Sequence, residues 1–129
     1  MGSTWDVHRC DALRWLMEYD GPLFDALITD PPYSSGGLHI GSRTQTTDKK
    51  YTQGGVGTFG QRPDFEGDNR DQRSFLVWMS LWLQEAKRVL RPGAPVLLFS
   101  DWRQSPLMSD ALQCGGMVYR GKVIWDKTE

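Results

Sequence analysis

Apolar positions recur at spacings of three and four between residues 72 and 90, where Phe75, Trp78, Met79, Trp82, Ala86 and Val89 make one stripe. That period predicts a long helix from about Gln72 to Leu90, stopped by Arg91-Pro92-Gly93. A shorter helix is predicted from Ala12 to Tyr19, with Asp11 as its N-cap and Gly21-Pro22 past its end. Ser105-Pro106 opens a third, serine as cap and proline at the first helical position, and Gly115-Gly116 closes it. Between helices the pattern changes. Phe24 to Thr29 is mostly apolar and ends at Asp30, while Pro95 to Ser100 is a continuous apolar run of the kind buried on both faces. Trp5 to Arg9 and Met117 to Trp125 are two further strand candidates. Strands alternating with helices imply crossover units, a mostly parallel sheet and hence an α/β fold.

Composition narrows the class. A chain of 129 residues holds one domain, and 39% hydrophobic with 24% charged residues excludes intrinsic disorder. The net charge of -1 gives no basic surplus, so nucleic-acid binding would need a local patch. No stretch reaches the ~20 apolar residues of a membrane span and no signal peptide opens the chain, so a soluble, cytoplasmic protein is expected. Cys10 and Cys114 are read as reduced structural thiols. Most of the six tryptophans are expected as core or interface anchors.

The segment from Ser34 to Arg70 breaks the regularity: it is long, polar and glycine-rich. It carries Arg43, Lys49, Lys50, Arg62 and Arg70 with Tyr51 and Phe59 between them, but also Asp48, Asp64, Glu66 and Asp68. Two readings stay open, a solvated loop and a loop that orders over DNA or cofactor. Gly55 to Gly60 spells G-x-G-x-x-G, yet no strand precedes it and Gln61-Arg62-Pro63 follows, so it is not read as a cofactor turn. His8 and His39 have no ligand neighbours at useful spacing, and no metal site is expected.

Directly before that segment stands Asp30-Pro31-Pro32-Tyr33. A chance match to this tetrapeptide in such a chain is on the order of one in a thousand. It follows a buried strand, at the carboxyl edge where open α/β sheets place their ligands. Two prolines stiffen the corner and remove two N–H donors. A carboxylate and a carbonyl then form a pair of acceptors beside an aromatic face, which suits a flat ring bearing an –NH₂ group. Such an amine is a poor nucleophile because its lone pair is delocalised. Gripping both hydrogens favours pyramidal geometry and frees the pair, once the base has left the duplex. The structural alternative is a Pro-Pro turn with a capping aspartate and a packed tyrosine.

These residues resemble the DNA adenine-N6 and cytosine-N4 methyltransferase family, in the class whose catalytic motif precedes the cofactor glycine motif. Cys10 to Leu13, Ala86 to Gly93, Ser100 to Arg103 and Val123 to Lys127 extend the resemblance over most of the chain. It implies an α/β, Rossmann-like S-adenosylmethionine-dependent fold with helices on both sheet faces. Residues 1–129 are expected to be the N-terminal portion of the catalytic domain, because the family's Phe-x-Gly-x-Gly turn has no convincing copy before Glu129. The resemblance implies S-adenosylmethionine as methyl donor, DNA as partner, Asp30 and the Pro31 carbonyl as amine acceptors within the Asp30-Pro31-Pro32-Tyr33 motif, and Tyr33 as the face on which the flipped base stacks. Aspartate in first position leans towards adenine; cytosine-N4 transfer is the near alternative. Relatives acting on RNA or protein glutamine usually carry Asn at the position of Asp30. For cofactor binding, Asp30 is joined by Asp11, otherwise a helix N-cap, and by Asp101, otherwise a cap for the turn before Arg103. Trp125 is expected in the core, with the target-base pocket as its other setting. A non-catalytic chain that binds DNA or a partner is the alternative from a different functional class.

Overall fold

A computed structural model describes residues 4–34 and 70–126. Helix α1 spans Ala12–Glu18, β1 Leu27–Thr29, α2 Gln72–Arg88, β2 Val96–Leu98 and α3 Ser105–Cys114, with a 3-10 turn at Trp102–Gln104 directly before α3. All three helices lie where the apolar periods put them. The Asp11 carboxylate caps α1 by accepting from the Arg14 N–H at 2.8 Å. Asp71 caps α2 by accepting from the Gln72 N–H.

α2 is the backbone of the core. Phe75, Met79 and Leu83 are fully buried on it, with Trp82, Ala86 and Val89 beside them. Against this stripe pack Leu16 of α1 and Met108 and Ala111 of α3. The end of α3 comes so close that a Cβ on Gly115 would stand 2.7 Å from the Leu83 Cβ. Arg88 ties α1 to α2: its guanidinium donates to the carbonyls of Leu16, Tyr19 and Met17 at the C-terminal end of α1. Gly93, at φ 83, turns the chain back after α2 in the left-handed region that glycine enters without strain.

β1 and β2 are parallel, with Leu27 beside Val96, Ile28 beside Leu97 and Thr29 beside Leu98. A single bridge between Phe24 and Leu90 extends the pairing backwards. Leu27 and Leu98 pack on the helix core. Their alternates look away from it: Ile28 is 67% exposed and Leu97 52%.

Five expectations need correction. Among the described residues the sheet has two strands, not four, because Trp5 to Arg9 and residues 117–126 join no ladder. β propensity records packing on a half-buried surface, and Val123, Ile124 and Trp125 find no such surface. Trp125 is therefore exposed rather than core, as are Trp5 and Trp102. The described helices cover one sheet face, not both, so the apolar run of β2 is wetted on the other. Ser105 does not cap α3, since its φ of -51° and ψ of -42° are already helical; the cap one turn earlier is Asp101. Both cysteines are free and exposed rather than structural.

Candidate active site

The site begins where the ladder stops. The Phe99 N–H donates to the Thr29 carbonyl at 3.0 Å, and Asp30 is the next residue. An aspartate after a strand usually turns its carboxylate onto an N–H one to three residues ahead. Pro31 and Pro32 remove the two nearest of those donors, and the carboxylate is exposed. The Tyr33 hydroxyl donates to Asp30 Oδ1 at 2.5 Å. Pro31 is buried beneath the corner, and Tyr33 is half-buried. The other carboxylate oxygen has no partner among the described residues.

Ser34 ends the corner in an unusual way. Its φ is +48°, the left-handed region that side chains other than Gly, Asn and Asp seldom adopt, and it is buried. The Gln104 side chain donates from Nε2 to the Ser34 carbonyl at 3.0 Å. Gln104 is 2% exposed, and its Oε1 finds no hydrogen-bond partner among the described residues.

Asp101 closes the neighbouring corner, after β2. It accepts from the Arg103 N–H at 2.8 Å and from Arg103 Nη1 at 3.0 Å. Both its oxygens are thus engaged, and Arg103 also lies over the Trp102 ring. Asp11, at the start of α1, accepts the Arg14 N–H on one carboxylate oxygen. An open apolar hollow of about 250 Å³ lies at the other end of β1, lined by Trp15, Phe24, Ala26, Ile28 and neighbouring aliphatic residues. It lacks the acceptors found beside Asp30. The 35–69 part of the predicted loop, with its G-x-G-x-x-G, lies outside the described residues.

Asp30, Pro31, Pro32 and Tyr33 are consecutive and form one corner, closed by the Tyr33–Asp30 hydrogen bond. To this corner the structure adds Gln104 and the left-handed Ser34, which sequence reasoning missed. Gln104 directly follows the Ser100 to Arg103 segment, but its role depends on burial and on a partner 70 residues away.

The parallel β1–β2 pair thus carries the Asp30-Pro31-Pro32-Tyr33 corner at its carboxyl edge. A sequence profile described as DNA methylase matches residues 24–129, from the bridge before β1 through the corner, α2, β2 and α3. The chain belongs to this family of N6- and N4-acting DNA methyltransferases. No curated protein and no solved structure matches it.

Proposed function

We propose that the protein transfers a methyl group from S-adenosylmethionine to the exocyclic amine of adenine in DNA, as the catalytic portion of a Rossmann-like domain. The observation that carries the reading is the Asp30 carboxylate. It is exposed at the end of a strand, deprived of its two nearest main-chain donors by two prolines and steadied on one oxygen by Tyr33. Its other oxygen and the Pro31 carbonyl would accept the two amine hydrogens and free the nitrogen lone pair. The Tyr33 ring offers a face to a base taken out of the duplex, recovering part of the unstacking cost. Asp30 would accept the proton that the amine sheds.

When bound, S-adenosylmethionine supplies an electrophilic methyl on a cationic sulfur. The acceptors at this sheet edge fit the polar parts of such a molecule. Asp11, Asp30 and Asp101 are the residues proposed to hold it. Asp11 would do so through the oxygen not used on Arg14, while Asp101 would have to share with Arg103. Among the described residues no glycine-rich turn follows a strand, so these carboxylates carry the proposed contact.

Methyl transfer from labelled S-adenosylmethionine to adenine-containing duplexes tests the reading. Label on N6 of adenine supports it. Label on N4 of cytosine alone would move the target but keep the mechanism. The second reading is a DNA-binding chain without catalysis. Titration with S-adenosylhomocysteine separates the two, since heat on mixing supports the enzyme and its absence at high concentration supports the binder.

A further inference from the structure

We propose that Gln104 is a positioning residue for the methyl-transfer site: through the Ser34 carbonyl it fixes the Asp30-Pro31-Pro32-Tyr33 corner in the geometry that receives the amine. The inference rests on the methyltransferase reading above.

Three observations point to this role. Gln104 is buried and donates to the first residue after the corner, linking the turn that follows β2 to the loop that follows β1. The residue it grips is held at φ +48°, which for serine is strained and persists only where the surroundings impose it. Ser34 directly follows Tyr33, whose hydroxyl donates to Asp30, so the gripped residue adjoins the catalytic corner. The third observation is the other half of the amide. Oε1 is buried without a partner among the described residues. The acceptor on Ser34 dictates that Nε2 point towards it, so turning the amide over would set oxygen against oxygen. A glutamine kept for stability is satisfied at both ends, because a lone buried acceptor costs more than the bond opposite it returns. Gln104 keeps that cost beside the catalytic corner, which is where a fold gives up stability for geometry.

Two substitutions separate positioning from packing. Gln104→Met keeps the volume and removes both the Ser34 donor and the orphan acceptor. In the full chain it is expected to hold the thermal midpoint within about 2 °C or raise it. Its kcat for methyl transfer should fall roughly 10- to 100-fold, as misplacement of reacting groups does, while KM for DNA changes far less. Gln104→Glu puts a buried carboxyl against a carbonyl. As carboxylate it repels the Ser34 oxygen, and as the protonated acid it donates to it; burial favours the acid form. Its activity relative to wild type should therefore rise as pH falls. Wild-type kcat in Gln104→Met overturns the proposal, and so does a Gln104→Glu deficit that stays flat with pH. A wild-type chain with no methyl transfer sinks the functional reading alone. The positioning role is then decided by the Ser34 Cα and Cβ chemical shifts: loss of their left-handed signature in Gln104→Met supports it, and retention overturns it.

Discussion

β1 and β2 are parallel neighbours, and each leads into an aspartate at the same edge, yet the two aspartates do opposite things. Asp101 has an ordinary residue after it, so its carboxylate folds onto the Arg103 N–H and starts the turn that leads into α3. Asp30 is followed by two residues that have no N–H to offer. Its carboxylate is left for a side-chain hydroxyl and for whatever approaches from outside. The same residue type is consumed by the fold at one corner and withheld from it at the other. The difference lies in the next two residues, not in the aspartate. A carboxylate held ready for a ligand is thus made by removing the local donors that would have satisfied it.

The largest effect should come from Asp30→Ala. Losing a preorganised partner of the reacting group costs about 10²- to 10³-fold in kcat, here expected as loss of detectable label transfer with an unchanged circular dichroism spectrum. Equal loss from Asp101→Ala would break the comparison. Tyr33→Ala comes next, because base–aromatic stacking is worth about 1–3 kcal/mol and appears as weaker binding of a duplex with a mismatched target base. Gly115→Ala probes the helix core away from both corners. Its Cβ would overlap Leu83, so about 1–3 kcal/mol of stability should be lost in urea unfolding, with kcat per folded molecule retained. Asp101→Ala should cost about 1 kcal/mol as a lost cap, read as a fall in thermal midpoint, and raise KM for S-adenosylmethionine, with a far smaller change in kcat than Asp30→Ala. Tyr33→Phe should have the smallest effect. It keeps the ring and removes only the hydroxyl that steadies Asp30, so any binding defect should be well below that of Tyr33→Ala.

The helices were legible because each carries its own period and punctuation. The α2 stripe, the Asp11 cap and the Gly115 close are local signals that survive in the folded chain. The two central strands were legible for the same reason. Residues 117–126 were not, since their β-branched and aromatic residues make a strand only beside a partner edge. Ser105 was misjudged as a cap because Asp101 begins the helical turn four residues earlier, and a serine already inside a helix looks the same in sequence. The Asp30 corner stood out because two prolines are a covalent fact. Gln104 did not, because neither its burial nor the backbone of Ser34 is written in any neighbouring residue.

The bare side of the sheet has a thermodynamic consequence. Ile28, Leu97 and Phe99 are in contact with water before unfolding begins. Unfolding hydrates only apolar area that was dry, and that area sets both the heat-capacity increment and the slope in urea. Both should fall below the usual values for a chain of this size. The stability curve should therefore be shallow, changing little between a cold room and body temperature.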